Sequence, residues 1–338
     1  MSEMRWDLLK EGITPSCLAL FLRCREQFHL HYVEGWRPKQ IRDYKEFGVV
    51  FHNIQEQYRK ERPTFEQITD VVNGYESRPK WKHITTKVKN ELELTFGQVE
   101  VVADGYYDYW WNEDASKDWL GQEVDIKITE HFDGIGDVEL RGRIDAVYRH
   151  QKTGKLWILD TKTKSQIRTD LLLDMFSVDL QLSYYMYCLY HMMEEVPAGV
   201  ILDCVRRPSM KLLQRETLPQ HLDRLRADIQ KRPEHYFVRL EAAFSKKEIT
   251  SWRETLESYV REMWNWSQGT SPHFMNPGSL LFNNSKSDFF NAIVNNDYSD
   301  LYKVKRSRNE SEKANKENFN RSGRGPAKHK TTTAKTKS

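Results

Sequence analysis

Asp145, Asp160 and Lys162 stand in LRGRIDAVYRHQKTGKLWILDTKTKS, residues 140–165, inside or at the ends of two apolar runs. The runs read as strands, and HQKTGK between them, with Gly154 placed for positive φ, predicts an antiparallel hairpin. Such a hairpin brings both carboxylates to one edge of a sheet. Two half-buried carboxylates repel, and one is driven to protonate unless a cation joins them. Hard oxygen donors with open positions suit Mg²⁺ or Mn²⁺, which complete their shells with water and phosphate oxygens. Lys162, two residues past Asp160, points to the same strand face. An ammonium there stabilises charge developing on a phosphate, or holds and deprotonates an attacking water. A surface ion pair is the ordinary alternative.

Other residues join this set through helices. In FGVVFHNIQEQ, Gly48, His52 and Glu56 recur at i, i+4 and i+8, placing an imidazole and a carboxylate on one face. Gln181 and Tyr185 are likewise i and i+4 in DLQLSYYMY. Periodicity predicts helices over about 14–33, 43–60 and 81–111, the second stopped by Pro63. After Asp118, WLGQEVDIKITEHF, DVELRGRIDAVYRH and KLWILDTKT predict three successive strands. Helical spacing returns over 170–193, a strand follows at 198–206, and helices at about 219–230 and 247–267. The order gives an α/β core with N- and C-terminal helical additions. The aromatic run Tyr106, Tyr107, Tyr109, Trp110 and Trp111 reads better as a packed helix end than as a base-stacking surface.

The chain is 338 residues long, 38% hydrophobic and 12% aromatic, enough for a full core. No apolar run is long enough for a spanning helix or a secretory signal, so a cytoplasmic protein is expected, without membrane contact. Cys17, Cys24, Cys188 and Cys204 show no zinc spacing and read as reduced structural thiols. The net charge is +3, yet from Lys303 onward twelve basic residues face three acidic ones, net +9, which leaves −6 for the rest. That tail, residues 303–338, predicts disorder and salt-sensitive contact with a polyanion.

The ordered series Gly48-xxx-His52, Gly142-x-Ile144-Asp145, Asp160-x-Lys162 and Gln181-xxx-Tyr185 resembles the RecB-like branch of the PD-(D/E)xK nucleases, and the downstream VRRPSMKLLQRET, RPEHYFVRL and the helix around Trp252 look like phage and prophage-type exonucleases of that branch. Glu123 resembles a glutamate that many relatives carry. The resemblance spans roughly residues 14–290. It implies a restriction-endonuclease-like core with a mixed sheet of about four strands flanked by helices. A nuclease domain over 1–302 would comprise a helical part (1–117), a catalytic core (118–210) and a C-terminal helical part (211–302). His52, Asp145, Asp160 and the Thr161 carbonyl would hold Mg²⁺ or Mn²⁺, with Glu56 and Glu123 as further candidates. Asp145, Asp160, Lys162, Gln181 and Tyr185 would form the catalytic set. From their place in the sequence beside this site, Lys164, Arg168, Arg206 and Arg207 are the expected phosphate-binding residues. The implied activity is phosphodiester hydrolysis by an exonuclease of recombination, repair or phage genome processing, in a bacterial host cytoplasm if phage-encoded. A flap or branch endonuclease and a non-catalytic DNA-binding module remain alternatives. DNA, single-stranded or as duplex ends, is the expected partner, and a recombination protein a further one. Some relatives hold a [4Fe–4S] cluster. Cys24 matches the first ligand position, but the segment after residue 270 has no cysteine, so no cluster is expected. Burial of Phe274, Leu281, Phe282, Phe289 and Phe290 is the expected substitute fastening.

Overall fold

The structure, a computed structural model, describes residues 6–78, 81, 84–176, 178–282 and 285–304. The basic tail from residue 305 lies outside the described residues. The chain divides into two units, one of residues 8–22 and 40–272, the other built on 23–39 and the segment from 273 onward.

The larger unit carries a sheet of β1 (Lys117–Phe132), β2 (Gly136–His150), β3 (Leu156–Lys164), β4 (Gly199–Arg206) and β5 (Phe237–Ala243), side by side in chain order. All neighbours are antiparallel except β3 and β4, which run parallel. The sheet is therefore mixed as expected, with five strands rather than about four. The extra one, β5, is a half-buried edge strand of FVRLEAA, whose weak alternation hides it from pattern reading.

Helices cover the sheet. In α2 (Asp43–Tyr58), Phe47, Val50, Phe51 and Ile54 follow the i, i+3, i+4, i+7 pattern and are all 0% exposed. Each such burial contributes roughly 1.5–3 kcal/mol, and the opposite face is left for Gly48, His52 and Glu56. α1 (Pro15–Arg23) is shorter than the expected helix over 14–33, because Cys24 is extended (φ −165°, ψ 112°) and breaks it. Between α2 and α4 lies α3 (Phe65–Glu76), missed in the sequence although Thr64 and Gln67 form a capping box at its start. α4 (Thr86–Asp114) begins later than residue 81, where Thr85 caps it. The expected helix over 170–193 is two, α5 (Thr169–Phe176) and α6 (Leu180–Met193), because the Asp179 side chain accepts the Leu182 N–H and starts a new helix. Capping boxes at Thr217 and Ser245 open α7 (Leu218–Lys231) and α8 (Lys246–Ser267). Among the described residues no helix is long and apolar enough to cross a membrane.

Buried charges tie strands to helices in this unit. Asp203 of β4, 0% exposed, accepts from the Tyr106 hydroxyl and from Arg239 Nε at 3.3 Å. Arg239 of β5 also holds Asp114 of α4, with Nη1–Oδ1 at 2.7 Å and Nη2–Oδ2 at 3.0 Å. Lys117 Nζ donates to Asp114 at 2.8 Å, and Arg59 Nη1 lies 4.0 Å from Asp203. Paired this way, the charges avoid most of the penalty of burial.

In the smaller unit, Trp36–Pro38 pairs antiparallel with Leu301–Lys303, over an apolar cluster of Leu30, Phe289, Ala292 and Leu301. The expected aromatic fastening needs correction. Phe274 and Leu281 are 47% and 54% exposed, Phe289 is buried, and the side chain of Phe282 lies outside the described residues. Polar contacts join the segments as well: Cys24 Sγ accepts the Asn276 N–H at 3.4 Å, Asn276 Nδ2 donates to the Arg23 carbonyl at 2.9 Å, and Gln27 Nε2 donates to Ser279 Oγ at 3.2 Å. The Arg25 guanidinium covers the Phe274 ring at 4.5 Å.

Candidate active site

β2 and β3 pair from Arg149↔Leu156 to Ala146↔Leu159, where their ladder stops. One residue further, Asp145 Oδ2 accepts the Thr161 N–H at 2.7 Å, a side-chain oxygen standing where a ladder carbonyl would. β3 continues against β4 alone, as far as Lys164↔Arg206.

On the other side of β2, Glu123 faces Asp145 between the pairs Gln122↔Ala146 and Val124↔Ile144. The register slips between Trp119 and Gly121, and Glu123 adopts φ +46°. A left-handed conformation costs a glutamate roughly 1–2 kcal/mol, and such strain is found where function needs a side chain redirected. α2 comes close to β3, since a Cβ on Gly48 would stand 2.9 Å from Thr163 Oγ1. One turn later His52 Nδ1 lies 3.6 Å from Asp145 Oδ2. One donor atom from each of His52, Glu123 and Asp145 falls within 4.8 Å of the others. Burial, then Asp145 and Glu56, push the Glu123 carboxyl up to about 7.

Asp160 lies beside this trio, 1% exposed. Its Oδ2 is 2.8 Å from Lys162 Nζ, and its Oδ1 accepts from the same ammonium at 3.2 Å. Burial, with Asp145 adding, raises its pKa against the opposing pull of Lys162. For Lys162, burial alone would favour the neutral amine, but Asp160 outweighs it and keeps the group a cation. Gln181 Oε1 accepts from Lys162 Nζ at 2.8 Å, and Gln181 Nε2 donates to the Tyr185 hydroxyl at 2.9 Å. Burial pushes that hydroxyl up to about 12. Gly142 makes room for the ring, as a Cβ there would be 3.2 Å from Tyr185 Cε1. The glycine of the GRID segment thus serves the Tyr185–Gln181–Lys162 chain.

An open cleft of about 620 Å³ is lined by His52 and Glu123 of the trio, with Tyr44, Gly48, Glu56, Arg143 and Thr163 among its other walls. A second groove of about 260 Å³ is lined by Tyr44, Thr163, Lys164, Ser165, Gln166 and Arg207. Of the expected phosphate-binding residues, the structure brings Lys164 and Arg207 into this groove. Arg206 is engaged elsewhere, with Nε donating to the His235 carbonyl at 2.7 Å and Nη1 to the Ser165 carbonyl at 3.3 Å. Arg168 pairs with Asp170 at 3.4 Å. Tyr106 and Tyr107 are buried, as a packed helix end requires, while Tyr109 is 39% exposed. Sequence reasoning missed Arg143, whose Nη1 lies 3.4 Å from Glu123 and whose Nε is 3.3 Å from Asp125. Its position two residues before Asp145, on the same strand face, was the available signal.

A family model of the PD-(D/E)XK nuclease superfamily matches residues 12–272. Comparison with curated proteins gives no match. Among solved structures, the chain is similar to a Eubacterium rectale protein described as a candidate exonuclease, with 10% identity and TM-score 0.44, covering 78% of this chain and 84% of that one. It is also similar to a phage-related exonuclease from Haemophilus somnus 129PT, with 11% identity and TM-score 0.30, covering 68% of this chain and 97% of that one. The family match takes in every strand of the five-stranded sheet and each residue from His52 to Tyr185 described above, and the chain belongs to the PD-(D/E)XK nuclease superfamily.

Proposed function

We propose that the protein is a Mg²⁺- or Mn²⁺-dependent deoxyribonuclease that hydrolyses phosphodiester bonds from DNA ends, in recombination, repair or phage genome processing. The observation that carries this reading is the convergence of His52, Glu123 and Asp145 within 4.8 Å, with a Lys162 ammonium in the field of Asp145. The donors fit a divalent ion. Two carboxylates whose repulsion a cation removes stand with an imidazole, and one buried oxygen nearby, Thr161 Oγ1, has no hydrogen-bond partner among the described residues. In this reading His52, Glu123 and Asp145 hold the ion, with Asp160 and the Thr161 carbonyl completing the set. The imidazole moves the preference toward Mn²⁺. When bound, the ion neutralises charge at the scissile phosphate and makes water a stronger nucleophile.

The chain's own residues do the positioning. The Thr161 N–H fixes the Asp145 carboxylate, while Asp160 and Gln181 aim the Lys162 ammonium, a hydrogen-bond donor for a phosphate oxygen as negative charge grows there. Tyr185 in turn holds Gln181. Gln181→Met keeps the volume and loses both contacts. It is expected to lower kcat about 10–100-fold, in the range of lost orienting partners, with KM unchanged. Steady-state kinetics check this, and a change confined to KM would move Gln181 from positioning Lys162 to binding substrate.

The function is tested with full-length protein and Mn²⁺ on end-labelled linear, closed circular and flapped DNA, with EDTA as control. Linear DNA is expected to be degraded from its ends and the circle to resist. A cut circle would make the protein an endonuclease, and binding without cleavage a non-catalytic module.

A further inference from the structure

We infer that Tyr44, backed by Arg207, is a nucleobase-stacking platform that guides the substrate strand from the cleft into the neighbouring groove. This deepens the nuclease reading and rests on it. Tyr44 lies in the first turn of α2 and is 41% exposed. It lines both depressions, and only Thr163 shares that position among their walls. A strand running from one to the other therefore passes the ring.

The two depressions differ in chemistry. The cleft mixes Glu56 and Glu123, acids that suit a cation and the phosphate it attracts, with Lys45 and Arg143. The groove is lined by two cations, Lys164 and Arg207, with the hydroxyl of Ser165 and the amide of Gln166, and no acid is among its described lining residues. That set fits a second backbone phosphate. A base between two such phosphates must leave its stack or find another surface, and an aromatic ring supplies one whatever the sequence.

The ring is held for this purpose. The Arg207 guanidinium stands 5.4 Å from its centroid and is kept near by Asp43, 3.8 Å from Arg207 Nη1. Arg42 Nη1 donates to the Tyr44 hydroxyl at 3.0 Å. A guanidinium over an aromatic face is a cation–π partner, so Arg207 backs the Tyr44 ring from one face. The substrate class follows: a strand whose nucleotide next to the scissile phosphate is unpaired.

The test uses the full-length protein with Mn²⁺ and a single-stranded oligonucleotide, intact or carrying one abasic nucleotide at successive positions from the end. Tyr44→Ala is expected to raise KM about 5- to 150-fold, the factor associated with one stacked base, with kcat within about twofold. Tyr44→Phe restores most of that loss. Wild-type protein shows a similar penalty for a single abasic position, and Tyr44→Ala shows no further penalty there. Equal penalties in both proteins, or an unchanged KM in Tyr44→Ala, would overturn the platform. Fluorescence anisotropy with the same oligonucleotide in Ca²⁺ separates the two levels of the reading. Affinity that depends on Tyr44 in a protein that cuts nothing supports the platform and overturns the nuclease, whereas cutting with a Tyr44-independent KM does the reverse.

Discussion

Asp145→Ala is expected to abolish cleavage and leave a folded protein. This carboxylate contacts more of the site than any other: it lies 3.6 Å from His52, accepts the Thr161 N–H at 2.7 Å, and shares the three-donor cluster with Glu123. Its removal takes one charge from the candidate ion site and unties Thr161. It also relieves the repulsion that helps hold a proton on Glu123. Losing ion-assisted stabilisation of several kcal/mol corresponds to a rate lower by at least about 10³-fold. Single-turnover cleavage of end-labelled DNA measures this, calorimetry with Mn²⁺ shows the lost ion uptake, and a circular-dichroism melt confirms the fold. Lys162→Ala should cost about 10²–10³-fold while sparing ion uptake, because it removes a donor to the phosphate rather than a ligand. Turnover at wild-type level in Asp145→Ala would end the proposed chemistry.

Arg239→Ala is expected to destabilise the protein by about 3–5 kcal/mol, the usual result of stripping one partner from a buried ion pair. Arg239 is held by Asp203 and Asp114, whose side chains are 0% and 7% exposed. Without it, Asp203 keeps the Tyr106 hydroxyl and the more distant Arg59, and Asp114 keeps Lys117. Urea titration measures the change as a shift in midpoint with an unaltered slope. The double variant Arg239→Met with Asp203→Leu should recover part of the loss, because the charge left behind is what costs most. A loss below about 1 kcal/mol in the single variant would mean that water enters and solvates the remaining carboxylates.

What the sequence made legible follows from the range of the interactions involved. The β2–β3 hairpin and the helix face carrying Gly48, His52 and Glu56 depend on local periodicity, and both stand where the pattern placed them. The order of the motifs also identified the Lys162–Gln181–Tyr185 chain, since helical spacing aligns Gln181 with Tyr185 and the strand presents Lys162 to them. Glu123 entered only by resemblance. Its meeting with Asp145 depends on a register slip between Trp119 and Gly121 and on its own positive φ, which no local pattern announces. Asp203, Arg239 and Asp114 are far apart in the chain, so although Asp203 stands inside the apolar run GVILDCVR, the partners it would be buried with could not be read in advance. Arg206 reads as a phosphate ligand because it lies close to the site in sequence, yet backbone carbonyls of Ser165 and His235 take its donors. The break at Cys24 was hidden by an apolar stripe that continues across it.

The point where the β2–β3 ladder ends has a wider meaning for how such a site keeps its accuracy. Asp145 is anchored by a peptide N–H of the adjoining strand, so the location of its oxygen is measured off by the spacing of main-chain groups. Surrounding loops can change length or composition without dragging that atom along. A few residues at fixed intervals are then sufficient instructions for the chemistry, and the rest of the chain is at liberty to specialise in which molecules are brought to it.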